Sequence, residues 1–365
     1  MDNSFIALGL MSGTSLDGID ASIIKSDGEN NLEIIDNKYL CYPKEFKKRL
    51  TKLIQSIDNK FDLEENIGIY KSLEKELTLY HSKISKKIID ENNCNIQLIG
   101  FHGQTIIHKP KEGYSIQMGD ANLLSQLLKK KIIYNFRAND IKNYGEGAPL
   151  TPVYHKLLTK KIQKNNPVLI LNIGGISNYT YCFKNTISAK DIGPGNVLID
   201  EYLKKTRGIN YDKNGDIALS GNINNDVINQ FYEHEIYNVE EKHSYDRKEF
   251  DFGFVKGLEF EDAVATLTYF TALIISKNIK KTFENNLEII LCGGGRKNLT
   301  LLTHLKNLLK RDIKLIDEFA IDGDFVESQA FAYLSIRSFL KKPISYPSTT
   351  NVLTPVTGGE IIINY

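Results

Sequence analysis

No part of this chain constrains its fold as much as Gly9-Leu10-Met11-Ser12-Gly13-Thr14-Ser15-Leu16-Asp17-Gly18-Ile19-Asp20. The apolar runs Phe5-Ile6-Ala7-Leu8 before it and Ala21-Ser22-Ile23-Ile24 after it predict strand, tight turn, strand. Small residues let backbone N–H groups approach an anion and form a nest. The hydroxyls of Ser12, Thr14 and Ser15 can donate to phosphate oxygens, and the aspartates can hold a metal ion that binds phosphate in turn. Two readings stay open: a phosphate-cradling hairpin for a nucleotide, or a glycine-rich hairpin with no ligand.

The middle of the chain repeats the plan. Pro167-Val168-Leu169-Ile170-Leu171-Asn172 is an apolar strand, Ile173-Gly174-Gly175-Ile176-Ser177-Asn178 a small-residue turn, and Tyr179-Thr180-Tyr181-Cys182-Phe183 a returning strand. A pattern that recurs roughly 160 residues later points to two α/β domains with similar cores. A third turn, Gly293-Gly294-Gly295, joins a buried strand at 287–292 to a helix. It permits close approach of a flat ligand such as adenine with its ribose, or is a tight turn with no ligand.

The length, 365 residues, suits two domains. A net charge of +1, with lysines scattered among acids and asparagines, gives no electrostatic case for a nucleic-acid partner. Cys41, Cys94, Cys182 and Cys292 form no Cys-x-x-Cys pair and are expected to be buried free thiols of a reducing compartment. Asp2, the lack of a basic residue before the first apolar run and the absence of a spanning segment argue against signal peptide and membrane, and for the cytoplasm.

Ligands in open α/β sheets collect beyond the carboxyl ends of strands. A strand at 96–100 delivers Phe101-His102-Gly103-Gln104-Thr105, so His102 is a ligand contact or a hydrogen-bonded structural histidine; His108 is structural or on the surface. A strand at 132–136 leads to Arg137-Ala138-Asn139-Asp140 and the glycine-rich Gly145-Glu146-Gly147-Ala148-Pro149-Leu150. That loop suits gripping a sugar, although Arg137 and Asp140 fit a structural ion pair equally. Asp191 ends a short strand before Gly193-Pro194-Gly195 and a helix. It serves as a general base if substrate or water is within reach, or it caps the helix. Glu327 suits the dipole of the helix it opens, or points into a cleft. Asp212, Asn214, Gly215 and Asp216 lack the length and closing acid of a calcium loop and read as a turn. Residues 240–254, polar and aromatic, read as a loop.

Two phosphate-type hairpins and a late glycine turn are the layout of the actin, hexokinase and heat-shock-chaperone ATPase superfamily. Within it the chain resembles the bacterial anhydro-N-acetylmuramic acid kinases nearly end to end. The resemblance rests on the 11–20 motif, His102-Gly103-Gln104-Thr105, Phe136-Arg137 with Asp140, Gly147-Ala148-Pro149-Leu150, the 172–178 turn, Asp191 with Gly193-Pro194-Gly195-Asn196, the 293–295 turn, and Glu327 ahead of Ala330-Phe331-Ala332.

The resemblance implies an α/β, two-domain actin-like ATPase fold of ribonuclease H-like type with an interdomain cleft. Residues 1–140, with 341–365 packed on them, would form one domain and 141–340 the other. It implies ATP and Mg²⁺, hydrolysis of the 1,6-anhydro ring of 1,6-anhydro-N-acetylmuramic acid, and phosphorylation of O6. The product is N-acetylmuramic acid 6-phosphate, an intermediate of peptidoglycan recycling. On this resemblance Asp191 is the base that activates water. ATP is held by Ser12, Gly13, Thr14, Ser15, Leu16, Asp17, Gly18, Ile19, Gly174, Gly175, Ser177, Asn178, Gly293, Gly294 and Gly295. The sugar is held by His102, Arg137, Asp140 and Glu327, and Asp17 and Asp20 reach the metal through water. The partners implied are small molecules, with a homodimer as the assembly. The chain departs from the family pattern at Ile192, where threonine offers a hydroxyl, at Lys190, Glu146 and Tyr144, and in the prolines missing just upstream of 244–247. A sugar kinase of the same fold with another substrate, a non-catalytic actin-like ATPase module and a nucleotide-independent glycoside hydrolase with paired carboxylates are the alternatives.

Overall fold

The opening stretch folds as an antiparallel hairpin, β1 (Phe5–Ser12) and β2 (Gly18–Ser26), in register from Phe5 opposite Ser26 to Met11 opposite Asp20. The structure, a computed structural model, describes residues 4–13, 15–162, 166–232, 245, 249–283 and 287–365. From the hairpin the chain continues through β3 (Leu32–Cys41), α1 (Lys44–Gln55), α2 (Lys60–Glu65), α3 (Ile67–Asn92), β4 (Leu98–Lys109), β5 (Tyr114–Met118), α4 (Ala121–Leu128), β6 (Lys131–Tyr134), α5 (Ala138–Lys142) and α6 (Pro152–Lys161). Then come β7 (Val168–Ile173), β8 (Ile176–Phe183), β9 (Thr186–Pro194), α7 (Val197–Arg207), α8 (Asp216–Ser220), α9 (Asn225–Phe231), α10 (Phe260–Thr282), β10 (Glu288–Cys292), α11 (Leu299–Leu309) and β11 (Ile313–Leu315). The chain closes with α12 (Val326–Phe339), α13 (Pro347–Thr350) and β12 (Glu360–Ile362).

Two units result: Met1–Gln163 with Phe325–Tyr365, and Lys164–Asp324. The chain passes between them at points different from 140 and 340, because α6 and α12 both belong with the first sheet. Tyr154 of α6 donates to Gln329 of α12 at 2.7 Å, and α12 lies on β1, β2 and β4.

In the first unit the strand order is β12-β6-β4-β1-β2-β3, with β5 on β4. The strands β1, β2 and β3 are antiparallel, while β4 and β6 run parallel to β1. Alternation sorts the two faces of β1. Leu8 and Leu10 enter a core with Phe46, Leu73 and Leu77. Gly9 faces the other way, under α12. A Cβ on Gly9 would meet the Ser328 carbonyl at 1.9 Å, and one on Gly100, its partner on β4, the Phe331 carbonyl at 2.2 Å. The two glycines therefore let the helix backbone rest directly on the sheet.

The second unit repeats this plan in the order β11-β10-β7-β8-β9. Again three strands are antiparallel and two, β10 and β11, run parallel to the first. Leu169, Leu171 and Ile173 of β7 pack with Ile275, Ile279, Leu301 and Leu305.

Three expectations change. The strand expected at 96–100 does not end there: β4 leaves β1 at an irregularity near Leu10 and Ser12 and continues through 102–105 as a hairpin with β5, with Gly103 at φ 73°. Cys41, on the edge of β3, is exposed, whereas Cys182 and Cys292 are buried. Ile192 points into the core of the second unit with Leu169 and Ile275, so the hydroxyl missing there would not face a ligand. Among the described residues no helix is long and apolar enough to cross a membrane.

Candidate active site

The first unit gathers His102, Arg137, Asp140 and Glu327. Arg137 follows β6 and immediately precedes α5. Its Nε and Nη2 both approach His102 Nε2, at 3.3 and 2.9 Å, and its Nη1 donates to the Gly147 carbonyl at 2.7 Å. A guanidinium has five N–H donors, so these bonds leave two unengaged. His102 is buried against Phe331, ring centroids 4.4 Å apart, and its Nδ1 lies 2.9 Å from the Gly103 carbonyl. This assigns a neutral ring with the proton on Nδ1 and the Nε2 lone pair facing the arginine. Burial, and then the charge of Arg137, hold the His102 pKa well below the usual histidine range.

Glu327 sits in the first turn of α12. It keeps solvent access, yet desolvation still raises its carboxyl pKa against the pull of Arg137. Burial lowers the Arg137 pKa to about 10, opposed by Glu327 and Asp140. The guanidinium stays charged at neutral pH. Asp140, 0% exposed, accepts from the Gly147 N–H and the Thr350 hydroxyl, both at 2.6 Å. Those bonds turn its carboxylate toward the glycine loop and the tail.

The first hairpin sorts its residues differently from the expectation. Ser12 is buried and its hydroxyl donates to Gln104 Oε1 at 2.7 Å, with Tyr42 Oη at 2.9 Å. It fastens the turn and does not face solvent. Leu16 and Ile19 are core residues, and a Cβ on Gly18 would meet the Leu40 carbonyl at 2.3 Å. Gly13, Ser15 and Asp17 remain at the accessible turn, where Asp17 pairs with Lys47. Thr14 lies outside the described residues. Asp20 is half-buried on β2. Among the described residues no group of three or more His, Cys, Asp or Glu is placed to hold a metal.

In the second unit Asp191 lies within β9, opposite Asn178 of β8. Its Oδ2 accepts the Tyr245 backbone N–H at 2.9 Å. It does not cap α7: Asn196 holds that position. The β7–β8 turn instead meets the start of α7, where Gly195 and Val197 donate to the Gly175 carbonyl and Asn196 to that of Gly174. Ser177 is buried and donates to the Pro194 carbonyl at 2.9 Å. In the glycine triplet, a Cβ on Gly293 would meet Asn172 Oδ1 at 2.2 Å, and one on Gly295 the Ile173 side chain at 2.3 Å. These two glycines serve strand packing, while exposed Gly294 has only Asn196 Nδ2, at 4.0 Å, near its would-be side chain.

Nothing local in the sequence marks Arg296, which is buried and chelates Asp317 at 2.7 and 3.1 Å while reaching Asp324 at 2.7 Å. The same holds for Thr350, whose partner Asp140 is 210 residues away. The 212–216 segment is the expected turn: Asp212 accepts from the N–H groups of Ile217 and Ala218. Within the 240–254 loop, residues 240–244 and 246–248 lie outside the described residues.

Two sheets of one plan, each led by an antiparallel hairpin and extended by two parallel strands, define an actin-like ATPase fold of ribonuclease H-like type. The "Anhydro-N-acetylmuramic acid kinase" family profile matches residues 5–364. The enzyme of that name from Pelagibacter ubique (strain HTCC1062) is 47% identical over the whole of both chains. That from Zymomonas mobilis subsp. mobilis (strain ATCC 31821 / ZM4 / CP4) is 37% identical over 98% of this chain and 99% of its own. Among solved structures, component A of the Acidaminococcus fermentans (R)-2-hydroxyglutaryl-CoA dehydratase aligns over 92% of this chain and 100% of its own, at 10% identity and a TM-score of 0.49. The chain belongs to the anhydro-N-acetylmuramic acid kinase family, and it is a kinase.

Proposed function

We propose that this kinase acts in the cytoplasm on 1,6-anhydro-N-acetylmuramic acid, using water and ATP to give N-acetylmuramic acid 6-phosphate and ADP. The observation that carries this reading is Asp191, a strand-borne carboxylate oriented by a backbone N–H and not spent on a helix cap. In the proposed reaction it takes a proton from water as the water oxygen bonds to the anomeric carbon. The C1–O6 bond breaks, and O6 accepts the γ-phosphoryl group of ATP. Arg137 and Glu327 hold the sugar, the arginine through its two unengaged N–H groups. Each unit by itself offers a turn that suits phosphate through backbone N–H groups, Gly13, Ser15 and Asp17 in the first and Gly175 and Gly294, beside Gly174, in the second. Mg²⁺ neutralises phosphate charge in such transfers. Asp17 and Asp20 would reach it through water, with the remaining ligands from phosphate and solvent, as this ion prefers.

The test is turnover of the anhydro sugar with ATP and Mg²⁺, read as sugar phosphate by mass spectrometry. Asp191→Asn should lower kcat by about a thousandfold, within the range for loss of a positioned base, and leave ATP binding unchanged. Phosphorylation of N-acetylmuramic acid but not of its anhydro form would favour an ordinary sugar kinase and overturn the proposal.

A further inference from the structure

We infer that Asp140 and His102 are positioning residues, and that the C-terminal segment, through Thr350, completes the clamp that fixes the Arg137 guanidinium. The inference rests on the sugar-binding role proposed for Arg137, but makes a separate claim about what holds it.

Three bonds fix the guanidinium plane. Two N–H groups share the His102 Nε2 lone pair and one meets the Gly147 carbonyl. Each acceptor is itself held. The His102 ring is locked by Nδ1–H on the Gly103 carbonyl and by Phe331. Gly147 is held by its N–H on Asp140 Oδ1 at 2.6 Å. Asp140 is held in turn by the Thr350 hydroxyl on Oδ2 at 2.6 Å, from 210 residues downstream. The tail grips the same loop twice more: Glu146 N–H donates to the Thr350 carbonyl at 2.7 Å, and Asn351 Nδ2 donates to Glu146 Oε1 at 2.9 Å. Gly145 makes room for the carboxylate, since a Cβ there would lie 2.1 Å from Asp140 Oδ1. Both oxygens of a buried carboxylate are thus spent on scaffold, and His102 presents its one acceptor to the arginine. Neither group is left to grip a ligand. Buried networks of this kind fix one geometry when every member is satisfied.

The test uses full-length protein labelled with ¹⁵N-arginine, the Arg137 Nε–H resonance being assigned by its loss in Arg137→Lys. The same proteins are assayed for KM of anhydro sugar and of ATP, and melting curves confirm folding. Thr350→Val keeps the side-chain shape and removes the donor to Asp140. It should broaden or shift the Arg137 resonance without substrate. It should also raise the sugar KM by roughly tenfold or more, the scale of a hydrogen bond to a charged group, with ATP KM unchanged. Thr350→Ser should restore both readouts, and Asp140→Asn should reproduce the defect. An unchanged resonance and unchanged sugar KM in Thr350→Val and Asp140→Asn would overturn the inference. If the resonance responds as expected while Arg137→Lys itself leaves the sugar KM unchanged, the clamp stands and the sugar-binding role of Arg137 fails.

Discussion

Replacing Gly9 by alanine tests whether the seating of α12 sets the site. The new Cβ would meet the Ser328 carbonyl oxygen at 1.9 Å and the Ala332 backbone nitrogen at 2.4 Å. Both are helix backbone atoms, so no rotamer change relieves the clash. The helix must lift by about 1 Å or more to regain ordinary contact in a close-packed interior. Lifting also strains the 2.6 Å hydrogen bond between Ser22 and Ser328. Overpacking of this kind costs about 1–3 kcal/mol. In a unit of about 200 residues each kcal/mol lowers Tm by about 2–4 °C. The loss of activity should be larger, because Glu327 rides on the first turn of α12 and a misplacement of about 1 Å costs on the order of a hundredfold. Calorimetry and steady-state turnover would be compared with Gly68→Ala, near the start of α3, where a Cβ meets nothing within 4 Å. That control should keep its activity and hold or raise Tm, since alanine gains up to about 1 kcal/mol over glycine in a helix. A Gly9→Ala protein that melts and turns over like the unaltered chain would refute the argument.

Within the glycine triplet, Gly293→Ala should destabilise by about 1–3 kcal/mol, because φ 79° with ψ 172° is backbone territory that only glycine enters readily. Gly294→Ala should leave Tm unchanged and raise the KM for ATP; the opposite ranking in Tm would contradict the packing seen here. His81 is buried in α3 with Nδ1 on the Leu77 carbonyl, and burial lowers its pKa from 6.5 to about 4. The unfolded chain therefore binds the proton first as pH falls, so stability is complete above about pH 6.5 and declines toward pH 4. The decline is about 1.4 kcal/mol for each pH unit that separates the folded and unfolded pKa. Urea unfolding at a series of pH values should show this slope reduced in His81→Gln, and an unchanged slope would exclude His81 as a source.

The two hairpins are legible in the sequence because each joins near-continuous apolar strands through small residues, and a half-buried or buried strand has few other ways to read. Asp191 and Arg137 are legible as polar residues toward the carboxyl ends of strands, although β9 runs on to Pro194 and so carries Asp191 within it. The bonds that define their surroundings are not. Nothing local to Thr350 announces a bond to Asp140, and nothing in the triplet separates Gly294 from its neighbours until Asn172 and Ile173 are placed against it. The strand at 96–100 reads as ending before residues 102–105 because glycine and polar side chains interrupt the apolar run. In the fold those same residues continue β4 through an irregularity that turns it from β1 to β5. Ile192 misleads in the other direction: its position beside Asp191 suggests a ligand contact, but strand alternation sends it into the core.

The two turns also agree on a point that their composition obscures. Hydroxyls near a glycine turn suggest side-chain donors to phosphate, but Ser12 and Ser177 are both buried and both spend their protons inside the protein, on Gln104 and on the Pro194 carbonyl. Their effect is to tie each hairpin to a neighbouring strand, β4 in one unit and β9 in the other. A turn fixed in this way holds its backbone N–H groups in place without a ligand, and an anion site made of fixed dipoles needs little reorganisation when charge arrives. In the proposed nucleotide role of these turns, serine therefore acts indirectly, through the turn it fixes. Its replacement by alanine should weaken the turn before it weakens any contact to the nucleotide.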